Sequence, residues 1–115
     1  MSRTVTIRDQ DLAIVQNILR RHVPPGSIVK VFGARARGRA RRGSDLDLAI
    51  DAGRPLRDGE RAALAEAFEE SDMPYGVDIL DARVARATFL ASIENEGAVD
   101  LDWEDRLSIS RRAVE

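Results

Sequence analysis

The 115-residue sequence contains no cysteine, which excludes disulfides, thiolate zinc sites and a cysteine nucleophile. Its single histidine, His22, leaves no material for a histidine-based triad or a His-rich metal site. Aromatic residues make up only 4%, too few for a stacking groove that would track single-stranded nucleic acid, so no direct nucleic-acid binding is expected. No apolar run approaches the roughly 18 residues that span a bilayer, and residues 1–8 lack the apolar stretch of a secretory signal. The expectation is a cytoplasmic protein with no membrane partner. Lysine is nearly absent too: Lys30 is the one exception among 18 basic residues. Any chemistry must therefore run on carboxylates, arginines and backbone.

With 43% hydrophobic and 33% charged residues, the composition is that of a compact globular chain, read as a single domain over residues 1–115. At this length folding buries roughly two thirds of the unfolded surface, enough for one core. The net charge of -2 hides an asymmetry. Residues 1–57 hold 12 basic and 5 acidic side chains, and residues 58–115 hold 6 basic and 15 acidic. Five arginines, Arg35, Arg37, Arg39, Arg41 and Arg42, fall within eight positions. Such a cluster reads as a phosphate or nucleic-acid patch, or as a general preference for arginine over lysine.

Periodicity predicts a helix over Asp9–His22, with Leu12, Ile14, Val15, Ile18 and Leu19 near one face and Pro24-Pro25-Gly26 as its stop. Residues 27–32 are short and β-branched between Gly26 and Gly33, as in a buried strand. The glycine- and arginine-rich residues 33–44 predict a turn with at most one helical turn. Residues 46–52 alternate as a second strand, residues 58–70 are helical until Met73-Pro74, and residues 75–80 make a third strand. Asp81 is placed as the N-cap of a helix over residues 84–96, stopped by Gly97. Residues 98–102 add a short edge strand, and residues 103–115 form a terminal segment without an assigned structure. The sum is a small mixed β-sheet with helices packed on it, the α/β (α+β) class. The connection over residues 33–44 is too short for a crossover helix, so the first two strands are expected to be antiparallel neighbours.

Asp45 and Asp47 lie two apart at the start of the second strand and so project to one face. Like charges this close call for a proton or a cation, and hard oxygen donors select Mg2+ or Mn2+, whose shell is typically completed by water and substrate phosphates. An isolated Asp-x-Asp is more often a pair of solvated acids; here the preceding residues change that balance. Gly33 directly follows the first strand, where a missing β-carbon lets backbone approach a polyphosphate, and Arg35 and Arg37 follow within reach of the same ligand. Asp78 sits inside the apolar run Tyr75-Gly76-Val77-Asp78-Ile79-Leu80, where a lone charge would be costly without a partner. If that strand lies beside the second, three carboxylates ring one or two metal ions, an arrangement suited to in-line displacement at phosphorus.

The stretch Gly33-Ala34-Arg35-Ala36-Arg37-Gly38-Arg39-Ala40-Arg41-Arg42-Gly43-Ser44-Asp45-Leu46-Asp47-Leu48 resembles the signature of the DNA polymerase β-like nucleotidyltransferase superfamily, Gly-Ser, a spacer and then Asp-x-Asp. Within it, the chain resembles the minimal nucleotidyltransferases, antitoxin halves of HEPN/MNT toxin–antitoxin pairs, over residues 28–102. The resemblance implies that Asp45, Asp47 and Asp78 are the catalytic, metal-binding carboxylates, with Asp78 helping to activate the attacking hydroxyl. It places Gly33, Ala34, Arg35, Arg37 and Ser44 around the nucleotide. Ala34 departs from the pattern, standing where the family usually has serine; loss of that hydroxyl should weaken triphosphate binding by about 1.5–3 kcal/mol. The implied reaction moves AMP from ATP, with Mg2+ or Mn2+, onto a tyrosine hydroxyl of a cognate HEPN ribonuclease toxin, and a hetero-oligomer with that toxin is implied. The alternative is a weak or inactive enzyme that neutralises the toxin by direct binding.

The remaining candidates read as structural. Arg39, Arg41 and Arg42 are expected in solvent, Asp51 at the surface near its strand end, and His22 at a helix terminus as a dipole partner. Tyr75 and Trp103 are expected to pack. Glu94, Glu96, Asp100, Asp102, Glu104 and Asp105 are expected on a solvated surface or facing a basic partner.

Overall fold

In the computed structural model, which describes residues 5–104, the first helix α1 covers Asp9–His22. Asp9 and Asp11 in its first turn and Arg20, Arg21 and His22 in its last complement the helix dipole. Asp11 is nearly fully buried and is paired with Arg8 at 3.0 Å. Val15, Ile18 and Leu19 form the buried stripe of α1. Leu64 and Phe68 do the same for the second helix α2, Asp58–Glu69.

Four strands, β1 Ile28–Phe32, β2 Leu46–Asp51, β3 Val77–Asp81 and β4 Val99–Asp100, assemble in the order β3-β2-β1-β4. β1 is antiparallel to both β2 and β4, whereas β2 and β3 are parallel and joined through α2. The antiparallel β1–β2 pairing is the one the short connection required. Register aligns Val29 with Ile50 and Val31 with Leu48, and these residues, with Leu46, are the sheet's contribution to the core beneath α1 and α2. Trp103 closes that core and donates from Nε1 to the Ser27 carbonyl at 3.1 Å. The opposite sheet face carries Lys30, Phe32, Asp47 and Asp78. The third helix α3, Ala87–Asn95, flanks it, with Phe89 edge-on to Phe32 at 6.3 Å between centroids.

Three elements depart from the sequence expectation by more than one residue. α3 starts at Ala87, not at residue 84, because Asp81 is the last residue of β3 and holds a turn there. Its carbonyl accepts from Val84 and Ala85, and its carboxylate accepts from the Arg83 and Leu56 backbone N–H groups. Asp81 is thus a loop clasp rather than an N-cap. β3 starts at Val77, leaving Tyr75 and Gly76 in the approach to the strand. β4 is shorter than residues 98–102, although Leu101 N–H extends the pairing to the Val29 carbonyl at 2.8 Å. Of the terminal segment, Trp103 and Glu104 are described, whereas Asp105 and the residues after it lie outside the described residues.

Candidate active site

The parallel register sets Asp47 directly opposite Asp78, on the sheet face away from the Leu46–Leu48–Ile50 row. Asp45, one residue before β2, lies close enough for its charge to act on Asp47. The Asp47 carboxyl titrates above the usual aspartate range: burial contributes most, followed by the charges of Asp78 and Asp45 and a hydrogen bond to Asp78. The conditional arrangement read from sequence, the third strand beside the second, is the one the fold adopts.

Two glycines shape the space around these acids. A Cβ at Gly33 would stand 2.3 Å from Oδ2 of Asp47, and Gly33 itself has a φ of 75°. The left-handed backbone demands glycine, and a Cβ there would displace the Asp47 carboxylate. A Cβ at Gly76 would stand 2.9 Å from Oδ1 of Asp45. Each carboxylate of the Asp-x-Asp pair is therefore seated against a glycine from a neighbouring element. Gly33 was expected to open space for a triphosphate; the Asp47 side chain takes up part of that space. In the sequence the only signal for Gly76 is a glycine at a strand entrance, itself a sign of close approach.

Arg35 has a different use from the one anticipated. It is buried, and its guanidinium donates to the Ser44 carbonyl from Nε at 3.0 Å and from Nη2 at 2.7 Å, and to the Thr6 carbonyl from Nη1 at 2.8 Å. Its plane lies over the Tyr75 ring, 3.6 Å from the centroid. Donors committed in this way close the 33–44 loop and are not offered to a phosphate. Ser44 is likewise part of the loop's internal bonding, its hydroxyl accepting from Arg41 N–H at 2.9 Å. Arg37 is exposed and pairs with Glu96, just past α3, at 3.2 Å; such a surface pair is readily exchanged for another anion. Ala34 sits at the loop's entrance, where its carbonyl accepts from Arg37 and Arg39 N–H groups. Arg39, Arg41 and Arg42 are exposed on the same loop, as expected. Asp51 stands apart from the cluster, accepting from Arg83 at 2.7 Å and from Gly53 N–H, which together hold its pKa low.

The donor set is all oxygen, the chemistry that suits Mg2+ or Mn2+, and its mutual repulsion at Asp47 is what a cation relieves. Among the described residues no group of three or more acidic or imidazole side chains is arranged to hold a metal ion as placed. The cluster as it stands is a carboxyl pair, Asp47 and Asp78, with Asp45 beside it. The residue types, though not their arrangement as placed, suit a divalent cation whose shell substrate phosphates and water would complete.

Residues 13–102 match the family described as Polymerase beta, Nucleotidyltransferase. Over 75 residues the chain is 49% identical to "Probable protein adenylyltransferase MntA" of Haemophilus influenzae. That alignment covers 65% of this chain and 65% of the relative, slightly under two thirds of its length. Among solved structures, the chain superposes on one described as a toxin–antitoxin with AMP-PNP with a TM-score of 0.66 and 26% identity, covering 83% of this chain and 75% of that one. A second, the tri-AMPylated Shewanella oneidensis HEPN toxin in complex with MNT antitoxin, gives 0.62 at 20% identity over 89% of this chain and 77% of that one, a likeness of fold. With the family match spanning most of the chain and Asp47 and Asp78 paired across its adjoining β2 and β3, this protein belongs to the polymerase β nucleotidyltransferase family.

Proposed function

We propose that this chain is a protein adenylyltransferase that moves AMP from ATP to a tyrosine hydroxyl of a HEPN ribonuclease toxin and so acts as its antitoxin in the cytoplasm. The observation that carries the reading is the placement of Asp47 opposite Asp78, with Asp45 adjacent, beside the Gly33 turn. Similarity to a relative named as an adenylyltransferase, and to a structure described as a toxin–antitoxin with AMP-PNP, supports the choice of nucleotide and acceptor.

In this reading Asp45 and Asp47, completed by Asp78, hold Mg2+ or Mn2+, which when bound neutralises phosphate charge and polarises the α-phosphoryl group. The Gly33 turn brings backbone N–H groups toward the triphosphate, and Arg37 exchanges Glu96 for a phosphate oxygen. Asp78 lies across the register from Asp47 and takes the proton of the acceptor hydroxyl. The acceptor oxygen forms a bond to the α-phosphorus, the α–β phosphoanhydride bond breaks, and pyrophosphate leaves with the electron pair. Ala34 supplies its amide but no hydroxyl, so nucleotide affinity is the parameter expected to suffer.

The test is incubation of the chain with α-labelled ATP, Mg2+ and the product of the adjacent gene, which this reading expects to be a small helical HEPN protein. Label is expected on a toxin tyrosine, and Asp47→Ala should cut transfer by at least ~100-fold, the scale of a lost charge-stabilising group. Undiminished transfer by Asp47→Ala would remove the carboxylates from the mechanism. Neutralisation of the toxin by Asp47→Ala without any transfer would instead favour an antitoxin that acts by binding.

A further inference from the structure

The contacts around Asp45 close into a ring. On its amino-terminal side the Ser44 carbonyl is gripped by Arg35 Nε and Nη2. On its carboxyl-terminal side Leu46 N–H donates to the Gly76 carbonyl at 2.9 Å. Gly76 also provides the seat against which Oδ1 of Asp45 rests. Tyr75 completes the circuit, because its ring is stacked beneath the Arg35 guanidinium and its backbone leads directly into Gly76. Arg35, Ser44, Leu46, Gly76 and Tyr75 thus link the two backbone flanks of Asp45, itself an exposed residue.

We infer that Tyr75 is a positioning residue: through its stack on Arg35 it fixes both backbone flanks of Asp45 and holds that carboxylate where a divalent cation is to be bound. An exposed side chain has no packing to orient it, so its direction depends on the backbone that carries it and on the surface it rests against. Tyr75 governs both. The stack is what matters and not the hydroxyl, since Tyr75 Oη is buried without a hydrogen-bond partner among the described residues. Tyr75→Phe keeps the ring and removes an unsatisfied polar atom, whereas Tyr75→Leu removes the platform. Gly76→Ala tests the same seat from the other side. At Gly76 the obstacle to a Cβ is the end of the Asp45 side chain, so the carboxylate moves and the backbone does not.

The inference rests on the reading that Asp45 binds metal, and the experiment separates the two. Mn2+ binding to the full chain is followed by electron paramagnetic resonance, with thermal unfolding measured in parallel. Asp45→Asn should weaken Mn2+ binding, and Tyr75→Leu and Gly76→Ala should each raise the Mn2+ dissociation constant about tenfold or more, the usual effect of disturbing residues that orient a metal ligand. Tyr75→Phe should match wild type. If Asp45→Asn binds Mn2+ as wild type does, the metal role of Asp45 falls and the positioning role with it. If Asp45→Asn is weakened while Gly76→Ala and folded Tyr75→Leu are not, the positioning role alone is overturned. It is equally overturned if Tyr75→Phe loses as much affinity as Tyr75→Leu. Should Tyr75→Leu fail to fold, Gly76→Ala decides.

Discussion

Burial, together with the charges of Asp78 and Asp45, pushes the Asp47 carboxyl toward its protonated form in the metal-free fold. An acid whose folded pKa is raised binds more protons folded than unfolded between its ordinary value, 3.8, and the raised one, so this residue makes the fold more stable as pH falls through that window. Above it, the ionised carboxylate is a net cost. Asp47→Asn removes that cost at neutral pH with little change in shape. In the presence of a chelator, Asp47→Asn is therefore expected to melt higher than wild type at pH 8, with the difference shrinking toward pH 4; equal or lower melting at pH 8 would show that the cluster is not strained by its own charge. The same substitution should abolish transfer, so stability and activity move in opposite directions at one residue.

At the scale of elements, the start of α2 shows how a helix end is held without a conventional cap. Arg57 at the N-cap position has no side-chain acceptor, yet Glu60 accepts from Arg57 N–H at 2.8 Å and from Arg54 Nη1 and Nη2 at 2.7 and 2.8 Å. These bonds, that from Arg54 foremost, lower the Glu60 pKa from 4.5 to about 2. A depressed acid stabilises the fold above its unfolded pKa and loses that contribution as pH falls through its folded one. Glu60→Gln should accordingly lower the urea midpoint at pH 7, with the deficit relative to wild type narrowing below pH 4.5 and vanishing near pH 2. A deficit independent of pH would assign the effect to packing. Most element boundaries could be read from the sequence because proline, glycine and hydrophobic period mark them: α1 covers the expected residues, and α2 and β2 end one residue short of the expected ones. The start of α3 could not, because it depends on Asp81 reaching backbone from two separate segments. Strand parity put Asp45 and Asp47 on one face, but Asp78 joined them only on the condition that β3 lie beside β2, which the register supplies, and the duties of Arg35 and Gly76 were not readable at all. Arg35 looked like a phosphate ligand by its neighbours in the chain, and only the fold shows its donors turned inward to Ser44 and Thr6.

Across the whole molecule, the split between a basic first half and an acidic second half is partly folded against itself. Lys30 pairs with Glu94 and faces Asp100, Arg37 pairs with Glu96, and Arg54 pairs with Glu60. Each is a surface interaction of small individual worth, and Arg39, Arg41 and Arg42 stay exposed on the 33–44 loop. The uncompensated charge that remains of functional interest is the carboxylate cluster on the sheet face opposite the core. A ligand that binds the native chain but not the unfolded one stabilises it by mass action, about 2.7 kcal/mol when present at a hundred times its Kd. For a domain of this size that corresponds to a rise in Tm on the order of 10 °C. Wild type with Mg2+ and ATP, acceptor absent, should show such a rise, and Mg2+ or ATP alone should give much less, because the carboxylates and the phosphates each complete the other's coordination of the cation. The Asp45→Ala/Asp47→Ala double variant should show almost none. An equal shift in wild type and double variant would place the nucleotide elsewhere on the molecule and detach the fold's conspicuous carboxylates from its ligand.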